Sequence, residues 1–366
     1  MLERLLNSAI PHLFPAAQVA IRQRGELIYS RAFGFLNPEA KTSPTTLATP
    51  FDLASITKLY TATACMSLIE AGLLHLEQPL STLLPEWQGS RPIHPYEDPL
   101  QPGHWIAVEL EDPNPISTES VTLRQLLTHT SGLPAWRPLF QQPDAESARQ
   151  LALHTFFSYR PGSRVVYSDI GFILLGFGLE RLTGKGLDQI LQDTILHPLD
   201  LRHTQFFPLG VPSSNQPTCA PTEFCLWRKC RLRGQVHDDN AARLGGIAAH
   251  AGLFATAEEV AAFGESFLTG SLLKPETVAA MTREQMARRG LGFALRSEDP
   301  LASSYPFSPR AFGHTGFTGT SMWIDPERDL VVVLLTNAVY HGRASSADGF
   351  QAFRVAAHQA ILEGLS

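Results

Sequence analysis

The order in which element types follow one another is the strongest constraint on this chain. Two strand-like runs, residues 17–23 and 26–33, flank Arg24-Gly25 near the start and give a hairpin signal. Near the other end, AFGHTGFTGTSMWIDPERDLVVVLLTNA contains three strand-like runs divided by glycines and by Asp-Pro. The patterns between these ends are helical. A chain built this way can close one antiparallel sheet from both of its ends and insert helices between them. The expected class is therefore α+β. Residues 1–84 and 245–366 would form the sheet part, and residues 85–244 a mainly helical lobe. No internal repeat is present.

The helical patterns are specific enough to place residues. Leu2, Leu5, Leu6, Ala9 and Ile10 share one face of a short amphipathic N-terminal helix. Ile56, Leu59, Ala62, Thr63, Met66 and Ile69 follow helical spacing, and Gly72 supplies a stop, so Ser55 stands at the start of a buried helix. Thr122 is placed to cap a short helix in TLRQLLTHT. GFILLGFGLERLTG reads as a helix ending at Gly184, with another from Leu187 to Leu196. GLFATAEEVAAFGESFL reads as a strand feeding a helix, and Ala347 to Leu365 as a terminal helix. Residues 38–50, 85–119, 133–147 and 205–235 read as loop or irregular chain.

Composition excludes several classes. With 366 residues, 44% apolar and 17% charged, the chain is neither disordered, collagen-like nor a coiled coil. The formal charge of -6 argues against nucleic acid, which needs clustered positive charge. No apolar run is long enough for a membrane span. Glu3, Asn7, Pro11 and His12 spoil a secretory signal, which leaves a cytoplasmic location as the expectation. Cys65, Cys219, Cys225 and Cys230 read as reduced thiols. The alternative for the last three is a zinc site, although the Cys219 to Cys225 gap is wide for one. No cofactor and no metal are called for. Of the 29 basic residues only Lys41, Lys58, Lys185, Lys229 and Lys274 are lysines, so each lysine in a motif counts.

Three short elements carry chemistry. Ser55 and Lys58 are one helical turn apart, on one face. A serine at a helix N-terminus meets free N–H groups, and a lysine whose pKa is lowered by burial can take its proton. A second match, Ser271 and Lys274, precedes Pro275 and no buried helical run, and is set aside. Tyr167-Ser168-Asp169 precedes a buried helix. Its tyrosine can relay a proton, or Tyr167 is simply half-buried beside an Asp169 N-cap. His314-Thr315-Gly316 lies on a strand, where Gly316 admits a ligand to the strand edge, or it is an ordinary glycine-rich hairpin. The Phe317 N–H can join that of Ser55 as an oxyanion hole.

Taken in order, SxxK, YxD and HTG, within TPFDLASITKLYTA, TLRQLLTHTSGLP, PGSRVVYSDIGFILLG and FGHTGFTGTSMWIDP, resemble the serine β-lactamase and penicillin-binding protein superfamily. The nearest likeness is to its class C-like branch of carboxylesterases and D-Ala-D-Ala peptidases. The resemblance implies a β-lactamase/transpeptidase-like fold, an antiparallel sheet flanked by helices with an inserted helical lobe. It implies Ser55 as acylated nucleophile, Lys58 as its base or partner, Tyr167 as second acid/base group, and the Ser55 and Phe317 N–H groups as oxyanion hole.

Two departures stand out. The usual Lys-Thr-Gly is His314-Thr315-Gly316, and histidine is mostly neutral at pH 7, so Lys58 alone is expected to supply a permanent cation. If His314 binds a substrate carboxylate only when charged, that binding weakens from pH 5.5 to 7.5. The usual Tyr-x-Asn ends in Asp169. An ionised Asp169 beside Lys58 favours the ammonium, so either Asp169 faces away or Tyr167 is the base.

GQVHDDNAARLGGIAAHAGLFATAEEV resembles a block of muramyl-amide hydrolases and penicillin-binding-like proteins. His237 is then an extra proton carrier or substrate contact. The alternatives are a loop hydrogen bond between His237 and Asp238 with His250 packed beside Gly252, or a metal held by His237, Asp238 and His250.

The resulting expectation is a serine hydrolase acting through an acyl-enzyme on a small-molecule or peptide substrate, best a peptidoglycan-derived muropeptide amide. A promiscuous carboxylesterase, a β-lactamase or D-Ala-D-Ala carboxypeptidase, and a non-catalytic binding protein are the alternatives. The sequence leaves the oligomeric state open.

Overall fold

The structure is a computed structural model. It describes residues 1–98, 101, 103–108, 114–210, 218–343 and 347–365. The parts of the two expected loops at 99–100, 102, 109–113 and 211–217 lie outside the described residues.

The main sheet has seven strands drawn from both ends of the chain. β1 (Ala16–Gln23), β2 (Glu26–Asn37) and β3 (Thr42–Pro44) come first. Two strands that belong to a smaller sheet follow, β4 (Phe51–Asp52) and β5 (Gln205–Phe206), and they pair on either side of β6 (Leu253–Ala255). β7 (Ala294–Leu295), β8 (Phe312–Gly316), β9 (Thr320–Asp325) and β10 (Leu330–Thr336) complete the main sheet. Its spatial order is β7-β8-β9-β10-β1-β2-β3, antiparallel throughout. Val19 opposes Leu334 on one side and Arg31 on the other.

β10 is apolar without alternation because both faces of the sheet are covered. Val331, Val333 and Leu335 enter the core shared with the helical part. Leu330, Val332 and Leu334 point the other way, into a second core with Leu6, Phe350, Phe353 and Ile361. That second layer is α1 (Leu2–Ala9) packed with the terminal helix Ala347–Leu365.

α2 (Thr57–Glu70) is buried on nearly every side. α3 (Leu123–Leu127) starts at Thr122 with a capping box closed by Gln125, a device worth ~1 kcal/mol. α4 (Ala145–Leu153) occupies chain expected to begin as loop. Asp144 caps it, and Ala148, Ala152 and Leu153 are its buried face. α5 (Asp169–Thr183) ends at Gly184 in the left-handed region, the usual stop. Its N-cap is Ser168, whose hydroxyl accepts from the Gly171 N–H, rather than Asp169. Asp169 is thereby released to face elsewhere. α6 (Leu187–Leu191), α7 (Asp239–Arg243), α8 (Ala257–Thr269), α9 (Pro275–Thr282) and α10 (Ala347–Leu365) complete the helices used below. Lys274 sits at the N-cap position of α9, in which Met281 is the buried residue, so the second SxxK match leads to a mostly exposed helix. Among the described residues no helix is long and apolar enough to cross a membrane.

Candidate active site

The chain turns sharply between β4 and α2. Ala54 takes φ +47, a conformation costly for a residue with a Cβ, and residues Ala54–Ile56 form a tight 3-10 turn. Hydrogen bonds hold that turn. Asp52 Oδ1 accepts from the Ala54 N–H at 2.8 Å and Asp52 Oδ2 from the His237 N–H at 2.6 Å. Thr318 donates to the Asp52 carbonyl at 2.7 Å and Thr320 to the Leu53 carbonyl at 3.0 Å. The loop after β8 is thus tied to the residues before Ser55. Gly316 is required here because a Cβ would strike the Leu53 carbonyl and the Thr320 hydroxyl. It admits the neighbouring turn, where the sequence suggested a ligand.

Lys58 is fully buried one turn after Ser55. Its Nζ donates to Ser55 Oγ at 3.0 Å and to the His250 carbonyl at 3.0 Å, and lies 2.7 Å from Asp169 Oδ1. Two hydrogen-bond acceptors and a carboxylate at ion-pair distance suit an ammonium. Burial works against that charge, but Asp169 and Tyr167 outweigh it, and the Lys58 pKa rises above its ordinary value. Of the two possibilities left by the sequence, Asp169 does not face away. Lys58 is a cation that donates to Ser55, so the Ser55 proton needs another acceptor.

Tyr167 is the next ionisable side chain beside Lys58. Its ring centroid lies 4.8 Å from Lys58 Nζ, 4.5 Å from the His129 ring and 5.7 Å from the His314 ring. Its hydroxyl is buried and has no hydrogen-bond partner, an open position for a proton or a substrate atom. His129, which sequence reasoning missed, accepts the Ser168 N–H at Nδ1, 3.0 Å away. Burial, then Arg289 and Lys58, keep it far below the usual histidine pKa.

His314 is 5% exposed, and its Nδ1–H donates to the Thr315 carbonyl at 2.7 Å, which leaves Nε2 as a buried, unpartnered acceptor. Burial and then Arg289 push its pKa down to about 3. It is neutral from pH 5.5 to 7.5, which removes the expected charge-dependent binding of carboxylates. Nor is Lys58 the sole permanent cation. The Arg289 guanidinium stands 5.3 Å from the Tyr167 ring and lines the same cavity of about 600 Å³ as Ser55, Tyr167, His314 and Phe317. Burial lowers the Arg289 pKa from a value so high that it remains charged. Its sequence signal was slight, two arginines before Gly290-Leu291-Gly292.

The block around His237 surrounds this centre. His237 stacks on Phe317 at 5.7 Å, and its Nε2 lies 3.0 Å from Glu223 Oε1. Burial resists ionisation of Glu223, but His237 and Arg343 hold its pKa down at about 2. Asp238 caps α7 through the Ala241 N–H and meets His250 Nε2 at 2.9 Å, so His237 and Asp238 do not bond each other. Burial opposes ionisation of Asp238, yet His250 holds its carboxyl well below the usual range. Asp238 therefore orients the residue whose carbonyl holds Lys58.

Among the described residues, the group able to hold a metal is Asp169, Asp238 and His250, with donor atoms within 4.8 Å of one another. Asp169 replaces His237 of the expected set. A divalent ion there would compete with the Lys58 ammonium for Asp169 and with His250 for Asp238. Cys219, Cys225 and Cys230 are free thiols outside that group.

Comparison with known proteins bears on the family and the fold. A family model described as Beta-lactamase matches residues 10–357. A putative D-alanyl-D-alanine carboxypeptidase of Escherichia coli K12 is 29% identical, aligned over 92% of this chain and 81% of that protein. A penicillin-binding protein homologue from Pyrococcus abyssi, described as octameric, superposes with a TM-score of 0.70 at 22% identity, over 99% of this chain and 77% of that one. EstCE1, a hydrolase with promiscuous acyltransferase activity, gives 0.72 at 22% identity over 98% and 97%.

Proposed function

The chain belongs to the β-lactamase family and is a serine hydrolase, and from that premise we propose that it cleaves an amide in peptidoglycan-derived peptides through an acyl-enzyme on Ser55. The observation that carries the reading is the Lys58 ammonium, which donates to Ser55 Oγ at 3.0 Å while Asp169 holds its charge.

In this mechanism Tyr167 works as the phenolate, and its Oη takes the Ser55 proton as Oγ attacks the scissile carbonyl. Lys58 stabilises the negative charge that passes between the two oxygens. The Ser55 and Phe317 N–H groups hold the oxyanion. Tyr167 returns its proton to the leaving amine, and water then releases the acyl group by the same steps in reverse order. The scheme uses no cofactor. His237 buttresses Phe317, and Asp238 acts through His250 on Lys58. The site stands between the sheet part, residues 1–84 with 245–366, and the inserted helical lobe, residues 85–244.

Substrate class follows from charge. His314 brings none, so Arg289 takes the carboxylate that a peptide fragment presents beside the scissile bond. The D-alanyl-D-alanine name carried by relatives supports a substrate of this acidic kind.

The test is acylation and turnover. Incubation with a muropeptide or a fluorophosphonate should add one acyl or phosphonyl mass at Ser55, and Ser55→Ala should abolish both labelling and hydrolysis. An unlabelled wild type whose Ser55→Ala form turns over every substrate equally well sinks the reading. Arg289→Gln should raise KM for acidic peptides about tenfold or more; equal KM with wild type removes Arg289 from binding.

A further inference from the structure

Two of the four thiols face each other across a hairpin. Cys65 and Cys219 are fully buried elsewhere, and burial pushes the pKa of each up to about 12, which keeps them protonated and inert. Cys225 and Cys230 are placed differently. They lie on the short strands Phe224–Cys225 and Cys230–Arg231, where Phe224 opposes Arg231 and Cys225 opposes Cys230. Directly opposed residues of an antiparallel pair share one face, with Cα atoms about 4.5–5.5 Å apart. A disulfide spans Cα separations of about 4.4–6.8 Å, so this pair can bond without moving the backbone.

Cys230 is half-buried, while Cys225 is 4% exposed. The connection between them, Leu226-Trp227-Arg228-Lys229, exposes Leu226 and Lys229, the latter in the left-handed region at φ +54. A small reagent at this open tip reaches Cys230 first. Cys225 Sγ accepts from Arg228 Nε at 3.3 Å, and the same guanidinium donates to the Val236 and His237 carbonyls and to Asp239. At the base of the hairpin the Leu232 N–H donates to the Glu223 carbonyl at 3.1 Å. Glu223 Oε1 lies 3.0 Å from His237 Nε2, and that ring stacks on Phe317. The hairpin therefore carries one wall of the candidate active site.

We propose that Cys225 and Cys230 are a redox pair that closes to a disulfide across this hairpin and so fixes the strand that holds Glu223 against His237. The oxidant is a small-molecule disulfide such as oxidised glutathione. The Cys230 thiolate attacks one of its sulfurs, a Cys230–glutathione bond forms, the reagent's S–S bond breaks, and one glutathione thiolate leaves. Cys225 then loses its proton, attacks the Cys230 sulfur and expels the second glutathione. The pair gives up two electrons and two protons, and the two released thiolates take up the protons. The proposal holds whatever bond Ser55 cleaves.

The sequence supplies the assay, because trypsin cuts after Arg228 and Lys229, between the two cysteines. Wild type is equilibrated with oxidised glutathione, alkylated in denaturant and digested. Fragment 203–228 should stay joined to the fragment that begins at Cys230, by a bond that dithiothreitol breaks, and the titratable thiols should fall from four to two. Fragment 203–228 also contains Cys219, so Cys219→Ser should keep the link, and Cys225→Ser and Cys230→Ser should each abolish it. Hydrogen exchange over residues 222–232 should slow about tenfold in the oxidised chain. Glutathione left on Cys230 without a link overturns the proposal. So does a link that survives Cys225→Ser, or unchanged exchange in the linked form. Should the Cys225 variant fail to fold, Cys219→Ser decides, because Cys225 is then the only cysteine in its fragment and loss of the link there overturns the pair.

Discussion

Asp169 Oδ1 lies 2.7 Å from Lys58 Nζ, so the group that touches Ser55 Oγ is already charged before substrate arrives. The consequence is a specific alkaline limit. Burial alone lowers the pKa of Lys58, and Asp169 is the first of the neighbours that raise it. Asp169→Asn removes that support, and Lys58 then loses its proton at lower pH than in wild type. If the ammonium is the working form, the alkaline limb of kcat/KM moves down by a pH unit or more, ~1.4 kcal/mol per unit, and the acid limb stays in place. A higher rate at pH 7 in Asp169→Asn would instead make neutral Lys58 the base.

Tyr167 is tested from the other side. Its hydroxyl is buried and unpartnered, and Lys58 already donates to Ser55, which leaves this oxygen to move the proton. Tyr167→Phe keeps the ring against His129, Lys58 and Arg289 while removing the oxygen. The expected loss in kcat is about 10²- to 10⁴-fold with KM little changed, read in single-turnover acylation. Unaltered acylation would transfer the proton to another group.

The fold was legible because its signals were local and periodic. The hairpin at Arg24-Gly25, the apolar spacing after Ser55 and the Thr122 cap are written in adjacent residues, and each element formed where expected. α4 escaped notice because a single cap, Asp144, starts it inside a proline-rich stretch. The geometry of the candidate site was half legible. Ser55 and Lys58 share a turn, but the direction of Asp169 depended on whether Ser168 took the cap. Arg289 carried only a slight signal. Its meaning comes from its place beside the Tyr167 ring in a cavity with no carboxylate in its described lining, which is a property of tertiary packing.

Acid stability offers an independent check on the buried histidines. His358 donates its Nδ1–H to the Ser303 carbonyl at 2.7 Å and meets Ser321 Oγ through Nε2 at 3.1 Å. Burial lowers its pKa to about 4. The unfolded chain therefore binds a proton near pH 6.5 that the folded one refuses, and stability falls as pH drops from about 6.5 to 4. The window contributes at most ~3 kcal/mol, from about 2.5 units at 1.36 kcal/mol each. Urea midpoints at pH 7, 6, 5 and 4.5 should fall more steeply for wild type than for His358→Gln. Parallel curves would show that His358 titrates normally.

The turn before Ser55 depends on one buried carboxylate. Asp52 is 2% exposed and accepts from both Ala54 and His237, and so fixes a strained residue on one side of Ser55 and the loop behind Phe317 on the other. Asp52→Ala leaves two buried N–H groups without acceptors, each worth ~1–3 kcal/mol. It also frees Ala54 to leave φ +47, which moves the Ser55 N–H out of the oxyanion position. Both effects should appear together, as a lower melting temperature and as a fall in kcat of about tenfold or more measured well below it. Ile190→Ala supplies the comparison, because Ile190 is buried in α6 and packs in the helical core. Its cavity should cost a similar ~2–5 kcal/mol in stability with kcat retained. If Asp52→Ala behaves like Ile190→Ala, losing stability but no rate, Asp52 serves the core alone and the Ser55 turn holds its shape without it.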